Sequence, residues 1–382
     1  MKSLPVLMHH YIANVPGGTV VSPVTFEEQC RVLAEHGWFG VSLAAAEAWL
    51  LRGEPLPPKS FLLTFDDGYL DNYVNAWPIL HKYGHKAVIF AVADRLENNT
   101  ESATRPTLAD VWNGSCGLGD LPPVDHPMQT KPGGYATRQD LFLNWDEARK
   151  MEQSSSISIA AHSMSHQGIF AGPEFSDFYR PGEQKRTFYH TWPALSWGLP
   201  KFKIVPEFSG PAFLPSQELI QTVQNIVPQE ENAAHAFFQE PGNVEELSAA
   251  VAALQKRQGS LGVMETPEQA RQRFAVGLAQ NKAVLRSELG HDVQSFCWPW
   301  GKWCQAALDA AREAGFSVFY RMEPPGINRP GGAPKSPTSG PCGNPLDVKR
   351  FKVKNKNGNW LLNRLRLYSS PLLGQLYSRI RI

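Results

Sequence analysis

Short apolar runs alternate along this chain with segments whose apolar residues recur at helical spacing. Residues 4–8 read as a first strand. Thr25 and Glu28 form a capping-box pair that opens a helix, and Gly37 closes it. Ser42 caps a second helix running to about residue 51. Residues 61–65 form the next strand; Leu70, Tyr73, Val74, Trp77 and Leu80 then recur at helical spacing until Gly84. Strands follow at 87–92 and 157–161, the second preceded by a helix over 145–153 that Asn144 caps. Thr266-Pro267-Glu268-Gln269 combines a capping box with proline at the first helical position, and that helix runs to 289 with Gly290 as its stop. A strand at 293–298, a helix at 303–314, a strand at 316–320 and a last strand at 348–353 complete the pattern. About seven strands alternating with helices predict an α/β barrel or a doubly wound sheet.

Two stretches break the rhythm. Residues 95–143 are rich in Gly, Pro, Asn and Asp and lack periodicity, which predicts a long loop region of the kind that carries function. Residues 170–264 hold Trp192, Trp197, many prolines and helical stretches near 217–226 and 244–257. Their place between two regular elements predicts an insertion that caps the site, within a single domain over 1–382. A Gly/Pro-rich loop spans 324–345.

Composition narrows the classes. Of 382 residues, 42% are hydrophobic and 19% charged, as in a globular protein. Thirty-seven basic residues against 36 acidic ones argue against nucleic acid as the main partner, which would need a basic face. The five cysteines lack zinc-ribbon or redox spacing, so a reduced compartment is the simpler expectation. The opening residues reach His9 and His10 before a signal-peptide core forms, which predicts a cytoplasmic protein.

The chemistry concentrates where strands stop. Asp66 and Asp67 end an apolar run and precede Gly68, whose conformational freedom permits an abrupt turn that aims both carboxylates at one site. His162 and His166, after the run 157–161, are four apart; on one helical turn they would share a face and bind one ion. Two imidazoles and one carboxylate leave a fourth position for water, and the spare carboxylate serves as base. Hydrolysis of an amide or ester follows from that logic.

Thr64–Gly68 and His162–His166 resemble the first two motifs of the NodB-homology polysaccharide deacetylases (carbohydrate esterase family 4). Phe296-Cys297-Trp298-Pro299-Trp300-Gly301 resembles the third. The resemblance implies a distorted (β/α) barrel of about seven strands and removal of N-acetyl groups from amino sugars of an envelope polysaccharide or its precursor. It assigns Asp66 as general base and Asp67, His162 and His166 as ligands of one divalent ion: zinc first, then nickel, cobalt or iron. Pro299 and Trp300 would help hold the oxyanion, with Trp298 and Trp300 also flat surfaces for a sugar ring. Leu7-Met8-His9-His10 resembles the first strand of the poly-N-acetylglucosamine deacetylase branch, where a histidine faces the cleft; His10 is the matching candidate.

Departures qualify the match. Cys297 stands where classical members carry a base-orienting arginine, and Arg180 is the one substitute in view. The general acid has no clear motif; His10, His235 and His291 are its candidates. An amidase acting on other non-peptide C–N bonds and a silent glycan-binding protein are the competing functions. Residues 360–382 carry Arg364, Arg366, Arg379 and Arg381 and no acid, with Leu372, Leu373, Leu376, Tyr377 and Ile380 on one helical face. Packing on the barrel is the default for this tail, and peripheral contact with anionic lipid, suiting a lipid-linked substrate, is the alternative.

Overall fold

The computed structural model describes residues 2–97, 104–124, 130–131, 133–135, 138–183, 188, 190–322, 326–331 and 347–380. Val6–His9 lies between Ser60–Asp67 and Phe351–Lys352, and Ser60–Asp67 is followed across the sheet by Ala87–Ala91, Ile157–Ala161, Ser295–Cys297, Val318–Arg321 and Val348–Lys349. All these pairings are parallel. Val348–Lys349 and Phe351–Lys352 are two halves of one strand, interrupted at Arg350. The first half pairs with Val318–Arg321 and the second with Val6–His9, so one short segment closes the sheet on itself. The result is a barrel of seven strands, counting those halves once, and not a doubly wound sheet, which would keep two edges. Helices outside and side chains inside leave Ser60–Asp67 buried at every position, as a parallel strand requires.

Local chemistry starts the helices largely where the sequence predicts. Ser42, Asn144 and Thr266 accept hydrogen bonds from the third helical N–H. The first helix differs. Ser22 caps it and it begins at Pro23, three residues before the expected box could act, because proline at the first position is already set for a helix.

Residues 168–264 form a second unit. Its antiparallel sheet contains Gly168–Phe178, Pro200–Pro206, Phe213–Pro215 and Gly262–Met264. Three helices, Gln217–Ile226, Glu231–Gln239 and Pro241–Gln258, pack with it around an apolar cluster that includes Trp197, Phe213, Leu219 and Leu254. Parts of the expected loop regions, 98–103, 125–129, 132, 136–137 and most of 324–345, lie outside the described residues, as do 184–187 and 189 of the insertion.

The tail is two helices. Gly358–Ser369 buries Leu361, Leu362, Leu365 and Tyr368, and Pro371 starts a second helix to Ile380. Leu372, Leu373 and Leu376 of that helix are exposed. The side chains of Tyr377 and Ile380, and residues 381–382, lie outside the described residues. No described helix is long and apolar enough to cross a membrane.

Candidate active site

The expected site residues meet at the C-terminal ends of the barrel strands, where loops from several strands converge. His10, Asp66, Asp67, His162, His166, Trp298, Trp300 and Arg350 line one cleft. The Ser60–Asp67 strand runs through both aspartates. Asp67 itself adopts φ 78°, as does Gly68, so the turn that aims two consecutive carboxylates into one cleft begins a residue earlier than expected.

His162 and His166 do not share a helical turn. They flank a loop in which Ser163 has φ 68° and His166 φ 51°. The Ser163 hydroxyl accepts from the His166 backbone N–H at 2.8 Å, and Asn281 Nδ2 donates to the Ser163 carbonyl at 2.8 Å. These bonds hold a left-handed backbone that local preference disfavours.

Asp67 Oδ1 lies 3.4 Å from Nε2 of both His162 and His166. Ligands held tetrahedrally at about 2.0–2.1 Å from zinc stand roughly 3.4 Å apart, so this donor set fits one such ion. His162 Nδ1 is 2.8 Å from the Cys297 carbonyl; donating there leaves Nε2 with its lone pair. Burial lowers His166 to about 4 despite the Asp67 carboxylate, so its ring is neutral at neutral pH. Asp66, His162 and Cys297 also lie close together. That set fits worse: burial raises the Cys297 thiol, and Asp66 is committed elsewhere.

Asp66 is held by an arginine the sequence reading missed. Arg350 donates to Asp66 Oδ1 at 2.5 Å and to Oδ2 at 2.8 Å, and reaches Cys297 Sγ at 3.0 Å. Thr64 of the first motif accepts from the same guanidinium at 3.1 Å. Burial pushes Asp66 up, but Arg350, His162 and His10 together hold it below the ordinary carboxylate value. Arg180 does not substitute: it pairs with Asp177 at 2.7 Å. The sequence offered only a basic residue inside the expected last strand, 348–353, with nothing to name its partner.

Of the acid candidates, only His10 reaches the cleft, with Nε2 3.9 Å from Asp66 Oδ2. Asn72 Nδ2 donates to the His10 carbonyl and Asp71 accepts from the Ile12 N–H, tying that segment to the residues after the aspartates. His235 lies beside Gln239 on an exposed helix, and His291 pairs with Glu152 at 2.9 Å, lining a different cavity. His190, from the insertion, also lines the cleft and was not foreseen.

Pro299–Gly301 forms a tight turn after the Ser295–Cys297 strand, with Trp300 at φ 51°. Trp300 meets the His166 ring edge-on at 5.5 Å. Trp298 is no open platform, because its ring is buried and stacked between Trp303 and Phe319.

Residues 53–189 match the polysaccharide deacetylase family model. A putative polysaccharide deacetylase, YxkH of Bacillus subtilis, is 39% identical over 90 residues, 23% of this chain and 32% of that protein. The poly-β-1,6-N-acetyl-D-glucosamine N-deacetylase of Escherichia coli K12 is 31% identical over 147 residues, 38% of this chain and 18% of that protein. The matched segments thus span about a third or less of these curated relatives. A de-N-acetylase from Aggregatibacter actinomycetemcomitans superposes with a TM-score of 0.58 at 17% identity, covering 95% of this chain and 100% of that one. The BpsB deacetylase domain from Bordetella bronchiseptica gives 0.54 at 18% identity, covering 92% and 98%. At such identities these structures speak for the fold.

Proposed function

We propose, from the premise that this chain belongs to the polysaccharide deacetylase family of NodB-homology proteins, that it hydrolyses N-acetyl groups from amino sugars of an envelope glycan of the poly-N-acetylglucosamine type, or from a precursor. The observation that carries the reading is the convergence of Asp67, His162 and His166 beside an Asp66 gripped by Arg350.

Asp67, His162 and His166 would hold the metal. A zinc-like ion there supplies polarisation of the acetyl carbonyl and a more acidic water. The chain's own residues do the rest. Arg350 keeps Asp66 ionised and aimed, so Asp66 can take the proton of the attacking water. The turn that carries Trp300 lines the cleft, and its backbone N–H would donate to the developing oxyanion. His10, 3.9 Å from Asp66, gives a proton to the leaving nitrogen. Acetate and a free amine result.

The test is acetate release from an acetylated chitooligosaccharide by the full chain, with chelator and after adding back zinc, nickel, cobalt or iron. Chelator-sensitive release restored most by zinc is expected. No release under any of these metals would sink the reading.

The tail belongs to the same proposal. Residues 351–382 hold seven Lys or Arg and no Asp or Glu, and Leu372, Leu373 and Leu376 lie exposed within a 100° arc of their helix. Exposed leucines beside a basic surface suit the interface of an anionic bilayer, in a cytoplasmic, membrane-peripheral setting. Flotation with anionic but not zwitterionic vesicles is expected, and a Leu372→Asp/Leu376→Asp variant that floats equally well would remove the idea.

A further inference from the structure

We infer that residues 190–192 of the insertion build a carbohydrate subsite beside the metal centre, with His190 donating to a sugar oxygen and Trp192 stacking on the neighbouring pyranose. The inference rests on the deacetylase reading and names the part of the chain that holds the rest of the glycan.

His190 is buried, forms part of the cleft wall, and meets His166 edge-on at 5.5 Å. Arg95 Nη2 lies 3.3 Å from His190 Nδ1. A guanidinium can only donate, so Nδ1 accepts and the ring proton sits on Nε2. Nε2 is therefore the donor nitrogen of this ring. Arg95 Nη2 also donates to the Ser165 carbonyl at 3.2 Å, which fastens His190 to the loop bearing both metal-ligand histidines. The donor is thus fixed relative to the reacting centre, although it comes from a separate unit of the chain.

Trp192 follows two residues later and is 37% exposed, in contrast to the buried Trp145, Trp197 and Trp298. Its backbone N–H donates to the Gly168 carbonyl at 2.8 Å. Gly168 is packed so closely that a Cβ there would stand 2.9 Å from the Trp300 ring and 3.4 Å from Thr191 Oγ1. The 190–192 segment and Trp300, itself a cleft residue, thus pack against one glycine. A hydrogen-bond donor in the cleft wall and a half-open indole two residues along the same segment match a pyranose, whose hydroxyls accept and whose C–H face is apolar.

The test uses the full chain with di-N-acetylchitobiose and tetra-N-acetylchitotetraose, reading KM and kcat for acetate release. Calorimetric binding to the Asp66→Asn protein reads the subsite without turnover. Trp192→Ala should raise KM and Kd for the tetramer roughly tenfold, with a smaller change in kcat, and remove its advantage over the dimer. His190→Phe should weaken tetramer binding by a similar factor, and His190→Gln, which keeps a donor, should restore most of it. Trp112→Ala, an exposed tryptophan above Lys82 and outside the cleft, should leave both constants unchanged. Unchanged tetramer constants in Trp192→Ala and His190→Phe would overturn the subsite and leave the deacetylase reading standing. So would a parent protein that binds tetramer no better than dimer. Trp192-dependent binding without acetate release under any metal would sustain the subsite and sink the deacetylase reading instead.

Discussion

Arg350 grips Asp66 through both ends of its guanidinium, at 2.5 and 2.8 Å, across 284 residues of sequence. The pair is buried inside the barrel, and the Cys297 sulfur lies against the same arginine. The positive charge that Cys297 does not supply beside Asp66 thus arrives from the strand that closes the barrel. A bidentate arginine fixes direction as well as charge.

Arg350→Lys keeps a charge and loses the fork. It should lower kcat by roughly tenfold to a hundredfold while the metal stays bound, since a point charge cannot orient both carboxylate oxygens. Acetate-release kinetics beside metal content by atomic absorption check this. A lysine variant with parental kcat would show that the fork is dispensable. Removing the charge altogether should instead destabilise the protein, because Asp66 would be left buried without its ion pair, a loss of about 3–5 kcal/mol.

Asp66→Asn and His162→Ala should separate the two halves of the site. The first keeps the metal and loses turnover, because no side chain it changes is a ligand. The second loses the metal with the activity. Metal content after dialysis decides, and an Asp66→Asn protein with full turnover would refute the assigned base.

The loop from His162 to His166 is held partly from outside itself. Ser163 Oγ accepts from the His166 N–H, and Glu207 bonds Ser163 and the Gln167 N–H. Arg273 Nη1 donates to the Glu207 carbonyl at 2.9 Å. Ser163→Ala should weaken zinc affinity on the order of tenfold to a hundredfold, the cost typical of losing an outer partner of a ligand. Competition against a chromogenic chelator measures it, and an unchanged affinity would show that the loop holds its shape unaided.

Acid should weaken the fold through His9. Its ring packs against Phe26 at 5.4 Å and Phe65 at 5.3 Å, and burial, with His10 adding to it, lowers its pKa from 6.5 to about 3. The folded protein keeps it neutral, while the unfolded chain takes up a proton below pH 6.5. This contribution to stability is complete above pH 6.5 and is lost as pH falls towards 3; the full shift corresponds to on the order of 5 kcal/mol. Urea midpoints for His9→Phe should therefore fall less between pH 7 and pH 4.5 than those of the parent protein. Parallel slopes would remove His9 as the cause.

Much of the site could be read from residues close in sequence. Asp66 with Asp67, and His162 with His166, each sit within five residues at the end of an apolar run, so local pattern carried them. Ser42, Asn144 and Thr266 cap helices for the same reason: a cap is a contact between neighbours. His190 was hidden because the insertion has no motif of its own. Arg180 looked plausible only because it stood in the right chain region, and its partner Asp177 is three residues away.

By itself the sequence determined the alternation of strands and helices and the aspartate and histidine pairs that end their strands, because these depend on spacing within a few residues. Closure was decided only in three dimensions. Residues 348–352 pair with Val318–Arg321 on one side and Val6–His9 on the other, and that double pairing turns Arg350 inward onto Asp66. No local preference encodes such a partner, since its position depends on every strand between them and on the need of a buried charge for its opposite.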